Sequence, residues 1–264
     1  MTRESAPPIS NPTRAGKRNV IILTSGITGS SVLAGFLARS GYWVGDRTHK
    51  KEYDTFENQE LIDLNREIFR QSGYTNNYVY ESSTEVLRRI ESLYGKIDAS
   101  PFLSFIEKCD GHRPWIWKDP RLWLTFRYWK HLVNPEECQF ILLTRDLRQA
   151  WLSIILRRQI MSYRVFRKQE EHVIKSILGI LNDNGLQHLH VRYDDLIAKP
   201  DSTIERLNQY LDAKLTIDDL KTVYTKPLHR SPRVSVLNSL KAILIYFKNY
   251  SKRSDPSVEN ARHA

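Results

Sequence analysis

The chain has 264 residues, 41% of them hydrophobic, enough to cover both faces of a sheet in one α/β domain. Forty Lys and Arg against 30 Asp and Glu give a net charge of +10, which attracts anions such as nucleic acid, an acidic membrane or a polyphosphorylated nucleotide. Without interleaved aromatic and basic repeats or a nucleic-acid module, the nucleotide leads; Cys109 and Cys138, in apolar or helical surroundings, argue against a disulfide framework or a zinc site and fit a reducing cytosol.

Residues 1–18 are rich in Pro, Ser, Thr and Arg without periodicity, and 251–264 are similarly polar, so both read as loose tails around one domain at 19–250. No apolar signal core opens the chain and no later run approaches the ~18 apolar residues of a membrane span, so a cytoplasmic protein is expected. Asn19 to Thr24 reads as a strand, followed by a Gly and Ser turn and a helix from Ser31 to Ser40. A polar segment from Asp46 to Asp54 leads into a helix at Glu57 to Gln71, with Leu61, Leu64, Ile68 and Phe69 on one face. Further helices are expected at Thr84 to Tyr94 and from Ser100-Pro101; the helices at Glu57 and Thr84 read as cap segments, and Trp115 to Trp117 as a buried strand. Gln139 to Thr144 is the clearest central strand, with a helix at Leu147 to Arg158 behind it. A helix from Val165 to Leu181, a strand from Gln187 to Tyr193 and helices at Thr203 to Leu211 and Lys241 to Tyr250 complete the pattern. Alternating strands and helices predict a mainly parallel sheet with helices on both faces.

The turn after the first strand, Thr24 to Ser31, has the composition of a phosphate loop. Gly26 and Gly29 allow a tight backbone, Thr28, Ser30 and Ser31 carry hydroxyls, and a helix N-terminus follows. An ordinary turn capped by Ser would look the same. A nucleotide kinase of the Walker type needs Lys before the hydroxyl residue, and Ser30 stands there instead. A second anion site is suggested by Arg145 at the end of the QFILLT strand and Ser153 two helical turns later, since an Arg and a hydroxyl suit a phosphate monoester at the carboxyl end of a sheet. The alternative is that Arg145 caps the strand beside a solvated helix face carrying Arg148, Arg157 and Arg158.

These motifs, in this order, resemble the PAPS-dependent sulfotransferases, enzymes that use 3'-phosphoadenosine 5'-phosphosulfate (PAPS). Ile27-Thr28-Gly29-Ser30-Ser31 is similar to their loop in its last four positions, with Ile27 in place of the usual Lys or Arg. Arg145 and Ser153 have the spacing of the family's 3'-phosphate pair. Trp117 to Leu122 resembles the Lys-Asp-Pro-Arg segment of bacterial members, Val191 to Leu196 their Tyr-Asp-Asp-Leu segment, and Gly41 to Asp46 with Phe56-Glu57 the segment after their first helix. The resemblance spans Asn19 to Leu211. It implies a P-loop-like sulfotransferase fold, a small-molecule acceptor such as a natural product, PAP as the product nucleotide and no metal. It further implies Lys118 as the group that neutralises charge on the breaking bond, and Glu57, then His49, then Asp119, as the base. Each has a plainer reading: Lys118 as a surface cation and Glu57 as a helix cap. Trp117 and Tyr193 stack on adenine or belong to the core. His229, Arg230 and Arg233 close over the nucleotide or form an exposed linker. Two rival functions stay open, a phosphotransferase of nucleotide kinase type and a noncatalytic PAPS binder.

Overall fold

The computed structural model describes residues 17–50, 53–74, 84–224 and 236–252. In chain order the elements are β1 (Asn19–Leu23), α1 (Ser30–Ala38), β2 (Thr48–Lys50), β3 (Asp54–Asn58), α2 (Gln59–Gln71), α3 (Thr84–Glu91), α4 (Ser100–Asp110), β4 (Ile116–Lys118) and α5 (Leu122–Trp129). There follow β5 (Cys138–Thr144), α6 (Leu147–Leu156), α7 (Tyr163–Asp183), β6 (His188–Arg192), α8 (Tyr193–Ala198), α9 (Pro200–Leu211), α10 (Ile217–Val223) and α11 (Val236–Lys248).

The NVIIL run is apolar on both sides because β1 lies inside the sheet, between β4 and β5. Alternation sends Ile21 and Leu23 to one face and Val20 and Ile22 to the other. The first face meets an aromatic core from α2 to α5 and α7, in which Trp117 stacks on Trp115 at 4.6 Å and on Phe105 at 5.4 Å. The second is covered by α1 and the helices after β6. The four strands run parallel in the order β4-β1-β5-β6. The chain therefore leaves β1 on one side to form β4 and on the other to form β5. Such a reversal opens a crevice at the carboxyl ends of the strands.

The polar segment after α1 forms an antiparallel hairpin, β2 with β3, and Glu57 belongs to β3 instead of opening α2. Asn58 caps that helix by accepting the Glu60 N–H, so the helix starts two residues later than the sequence pattern suggests. Trp117 is fully buried in the aromatic face, which removes it from any contact with adenine. Tyr193 opens α8 instead of ending the strand, and α5 and α10 are helices that the pattern does not reveal. His229, Arg230 and Arg233 lie outside the described residues. No described helix is long and apolar enough to cross a membrane.

Candidate active site

The crevice holds a cavity of about 490 Å³ lined by the turn after β1 and by Lys118, Arg145, Ser153 and Tyr193, with His49, Tyr53 and Glu57 supplied by the β2–β3 hairpin. The loop residues Ile27, Gly29, Ser30 and Ser31 are all on its wall, whereas Thr28 is not. The Thr28 side chain turns inward and its hydroxyl bonds that of Thr24, leaving the backbone of Thr28 as its part in the loop.

Three residues of this turn have left-handed backbones, Gly26 at φ 89°, Ile27 at 55° and Gly29 at 83°. Gly29 has a second constraint, because a Cβ there would lie 2.1 Å from Cδ2 of Tyr193. Ile27, β-branched and strained at this φ, packs against the apolar cluster of α6 that includes Ala150 and Ile154. Among the described residues no side chain accepts from the Ser30 or Ser31 N–H at the start of α1, while the Val32 and Leu33 N–H groups bond the Gly29 carbonyl. Backbone donors of this kind, in a left-handed turn before a helix, form a cradle for an anion.

Arg145 follows β5 and reaches back to this cradle. Its Nη1 donates to the Ile27 carbonyl at 3.3 Å, and its guanidinium lies 5.2 Å from the centre of the Tyr193 ring. Its Nε is buried without a partner among the described residues. Burial is the main influence on its pKa and pulls it down; Tyr193 and Asp194 oppose this and Arg157 adds to it. Asp194 also accepts the Asp146 N–H at 2.6 Å, which ties the start of α8 to the turn that carries Arg145. Ser153 lies on the cavity wall, its hydroxyl donating to the Gln149 carbonyl at 2.8 Å. The two sets of residues that the sequence suggests for anions thus line one cavity.

Lys118 ends β4 with 2% of its surface exposed, and its ammonium donates to Glu57 Oε1 at 2.6 Å, the Thr55 carbonyl at 2.9 Å and Ser31 Oγ at 3.2 Å. It therefore bridges the loop helix and the hairpin. The two residues given separate roles by the resemblance, a charge neutraliser and a base, form one ion pair. Asp119 is fully buried and takes hydrogen bonds from Asn65 Nδ2, Arg121 N and Arg121 Nη1. Burial raises its pKa, and it is committed to structure, out of reach of an acceptor.

No family model matches the sequence, and neither does any curated protein. The chain is similar to the sulfotransferase domain of the Synechococcus PCC 7002 olefin synthase, with a TM-score of 0.50 and 14% identity over 94% of this chain and 98% of that one. The fold is that of a sulfotransferase. Two further sulfotransferase structures match at a TM-score of 0.46. The sulfotransferase domain of the curacin biosynthetic pathway is 18% identical over 86% of this chain and 83% of its own, and a Mycobacterium avium sulfotransferase is 15% identical over 91% and 78%.

Much of the rim of this cavity is not apparent in the sequence. Ile62 and Arg66 come from α2, Tyr53 from the hairpin, and Arg157 and Gln159 from the end of α6. Arg157 Nη2 lies 3.5 Å from the Tyr53 hydroxyl, an approach across 104 positions that no local pattern announces. Glu170, in the first half of α7, is equally hidden; it accepts a hydrogen bond from Ser25 behind the loop. Among the described residues no group of three His, Cys, Asp or Glu side chains is placed to hold a metal ion.

Proposed function

We propose that this protein is a sulfotransferase that moves the sulfuryl group of PAPS to a hydroxyl or amine of a small-molecule acceptor. The observation that carries the reading is the convergence of the phosphate cradle, Arg145, Ser153 and the Lys118–Glu57 pair on one cavity. The donor set fits the nucleotide. The start of α1 with Ser30 and Ser31 suits the 5'-phosphate end, and Arg145, whose Nε has no partner among the described residues, suits the 3'-phosphate together with Ser153. Tyr193 holds both sites in register through Gly29 and Arg145.

When bound, PAPS supplies an activated sulfuryl group on a phosphate leaving group. Lys118 stands between the loop and the hairpin, where its ammonium would offset negative charge on the departing phosphate. Glu57, on the hairpin side, is the residue to take the acceptor's proton. Its bond to Lys118 holds the carboxylate in place, so the pair acts as a unit. His49 lines the same hairpin wall and is the second candidate. Like phosphoryl transfer, the reaction needs positioning and charge stabilisation more than covalent catalysis.

A binding-only relative is favoured by one observation, the apolar Ile27 packed onto α6 where the family pattern has a cation. Thermal shift with PAP, with ATP and Mg²⁺, and with heparin, followed by label transfer from PAPS to an acceptor panel, separates the readings. A ligand at ~100 times its dissociation constant stabilises by about 2.7 kcal/mol, so PAP should give the largest shift. A larger shift with ATP and Mg²⁺ would overturn the assignment, and tight PAP binding without transfer would leave only the binder.

A further inference from the structure

Glu170 is 8% exposed and accepts the Ser25 hydroxyl on Oε2 at 2.6 Å. Ser25 lines the cavity at the beginning of the phosphate loop, so a buried carboxyl stands one hydroxyl behind the wall of an anion site. Among the described residues no cation pairs with it. Its charged neighbours on α7, Arg167 and Glu171, pair with each other at 3.4 Å on the exposed side, and His172 turns to Trp123. From α5, Arg127 donates to the Trp123 carbonyl and to Ser176. On the cavity side, Lys118 is committed to Glu57, Arg121 to Asp119 and Arg145 to the Ile27 carbonyl and Tyr193. Burial therefore dominates and lifts the carboxyl to about 7, with the Ser25 bond pulling the other way.

We propose that Glu170 is a positioning residue that couples anion binding in the loop to the uptake of one proton. The inference rests on the loop being the phosphate site of the proposed function. A hydroxyl has one hydrogen to give. While Glu170 is ionised, Ser25 donates that hydrogen to the carboxylate and presents no donor to the cavity. Once Glu170 is protonated, its own O–H donates to Ser25 Oγ, and the Ser25 hydrogen is free to turn to a phosphate oxygen. A bound anion also disfavours a nearby buried carboxylate, so both effects favour protonation on binding. The proton comes from solvent and rests on Oε2; no covalent bond of the ligand changes.

The test is calorimetric titration of the full chain with PAP, in two buffers of different ionisation enthalpy, between about pH 7.5 and 9, where phosphate monoesters are already fully ionised. Wild type should take up close to one proton per PAP and lose affinity close to tenfold per pH unit. E170Q should take up none and bind with a flat pH profile, and at the upper end of the range it should bind at least tenfold tighter than wild type. If E170Q does not fold, Ser25→Ala serves instead: it removes the hydroxyl route, and its pH slope should fall below that of wild type. PAP binding without proton uptake would overturn the proposal and leave the sulfotransferase reading standing. Sulfate, which does not titrate in this range, is the second probe, read as a pH-dependent thermal shift. A sulfate shift that weakens with pH in wild type and not in E170Q, with no PAP binding, would uphold the proposal and sink that reading. No response to either probe at any pH would overturn the proposal itself.

Discussion

Replacing Gly29 with Ala tests whether the loop and the second anion site are one mechanical unit. The added Cβ would lie 2.1 Å from Cδ2 and 2.3 Å from Cε2 of Tyr193, far inside van der Waals distance, on a backbone at φ 83°. The left-handed conformation alone costs a non-glycine residue roughly 1 kcal/mol. Tyr193 is 2% exposed and its ring also carries the Arg145 guanidinium, so it has little free space to retreat into; overpacking of this kind costs about 1–3 kcal/mol. The expected loss of stability is therefore about 2–4 kcal/mol by denaturant titration, with PAP affinity down at least tenfold because the displaced ring moves Arg145. In a Tyr193→Ala background the clash disappears and only the backbone cost should remain, a coupling of about 1–3 kcal/mol in a double-mutant cycle. Equal costs for Gly29→Ala in the two backgrounds would refute the wedge.

Glu57→Gln should lower kcat by about 10²–10⁴ while PAP affinity stays within about twofold, read by label transfer and calorimetry; unchanged turnover would pass the base role to His49. Arg145→Ala should weaken PAP by about 2–3 kcal/mol through the loss of a charge-assisted hydrogen bond, and should move the thermal midpoint of the unliganded protein by no more than a few degrees. An unaltered PAP affinity would take Arg145 out of the site. The stability of the unliganded protein carries its own signature of Glu170. Its native pKa is raised from 4.5 to about 7, so between these values the folded state holds a proton that the unfolded state has released, and stability falls as pH rises through the window. Urea titrations of wild type and E170Q should diverge across that window, the variant ending more stable by up to about 3 kcal/mol above it; parallel curves would show that the carboxyl is not perturbed.

The sheet is legible in the sequence because burial on both faces leaves unbroken apolar runs. β1 and β5 are such runs, and their ends fall within a residue or two of the apolar boundaries. The loop is legible as a turn because Gly and Ser between strand and helix mark one, but an ordinary capped turn would read the same, and its meeting with Arg145 depends on a bond to the Ile27 carbonyl 118 positions away. Glu57 reads as part of the wrong element because the periodicity of α2 extends back to it by chance, while the hairpin is held by tertiary bonds such as Lys118 Nζ to the Thr55 carbonyl and Thr55 Oγ1 to the His49 carbonyl. Trp117 is ambiguous because an aromatic at a strand end suits a base or a core equally, and only the stacking with Trp115 and Phe105 decides. Arg157, at the crevice, and Glu170, behind its wall, are not legible because each belongs to a helical segment whose exposed face is also charged. Their roles depend on partners 104 and 145 positions away.

Ile27 departs from the loop pattern of PAPS-dependent sulfotransferases, and its packing supplies a reason. It sits at φ 55° with its side chain against the cluster that includes Ala150 and Ile154, while its carbonyl takes the Arg145 bond. A Lys in its place would give up part of a packing contribution of roughly 1.5–3 kcal/mol and leave its stem beside an apolar cluster. The cavity already collects Arg66, Arg121, Arg145 and Arg157 from later in the chain, so positive charge at the rim does not depend on position 27. Ile27→Lys should therefore lower stability by about 1–2 kcal/mol and tighten PAP by less than about tenfold, since the new ammonium joins a field that is already cationic. A gain of about 100-fold in PAP affinity, roughly twice the 1.4 kcal/mol of a tenfold step, would show the opposite, that the loop lacks a cation the other arginines do not replace.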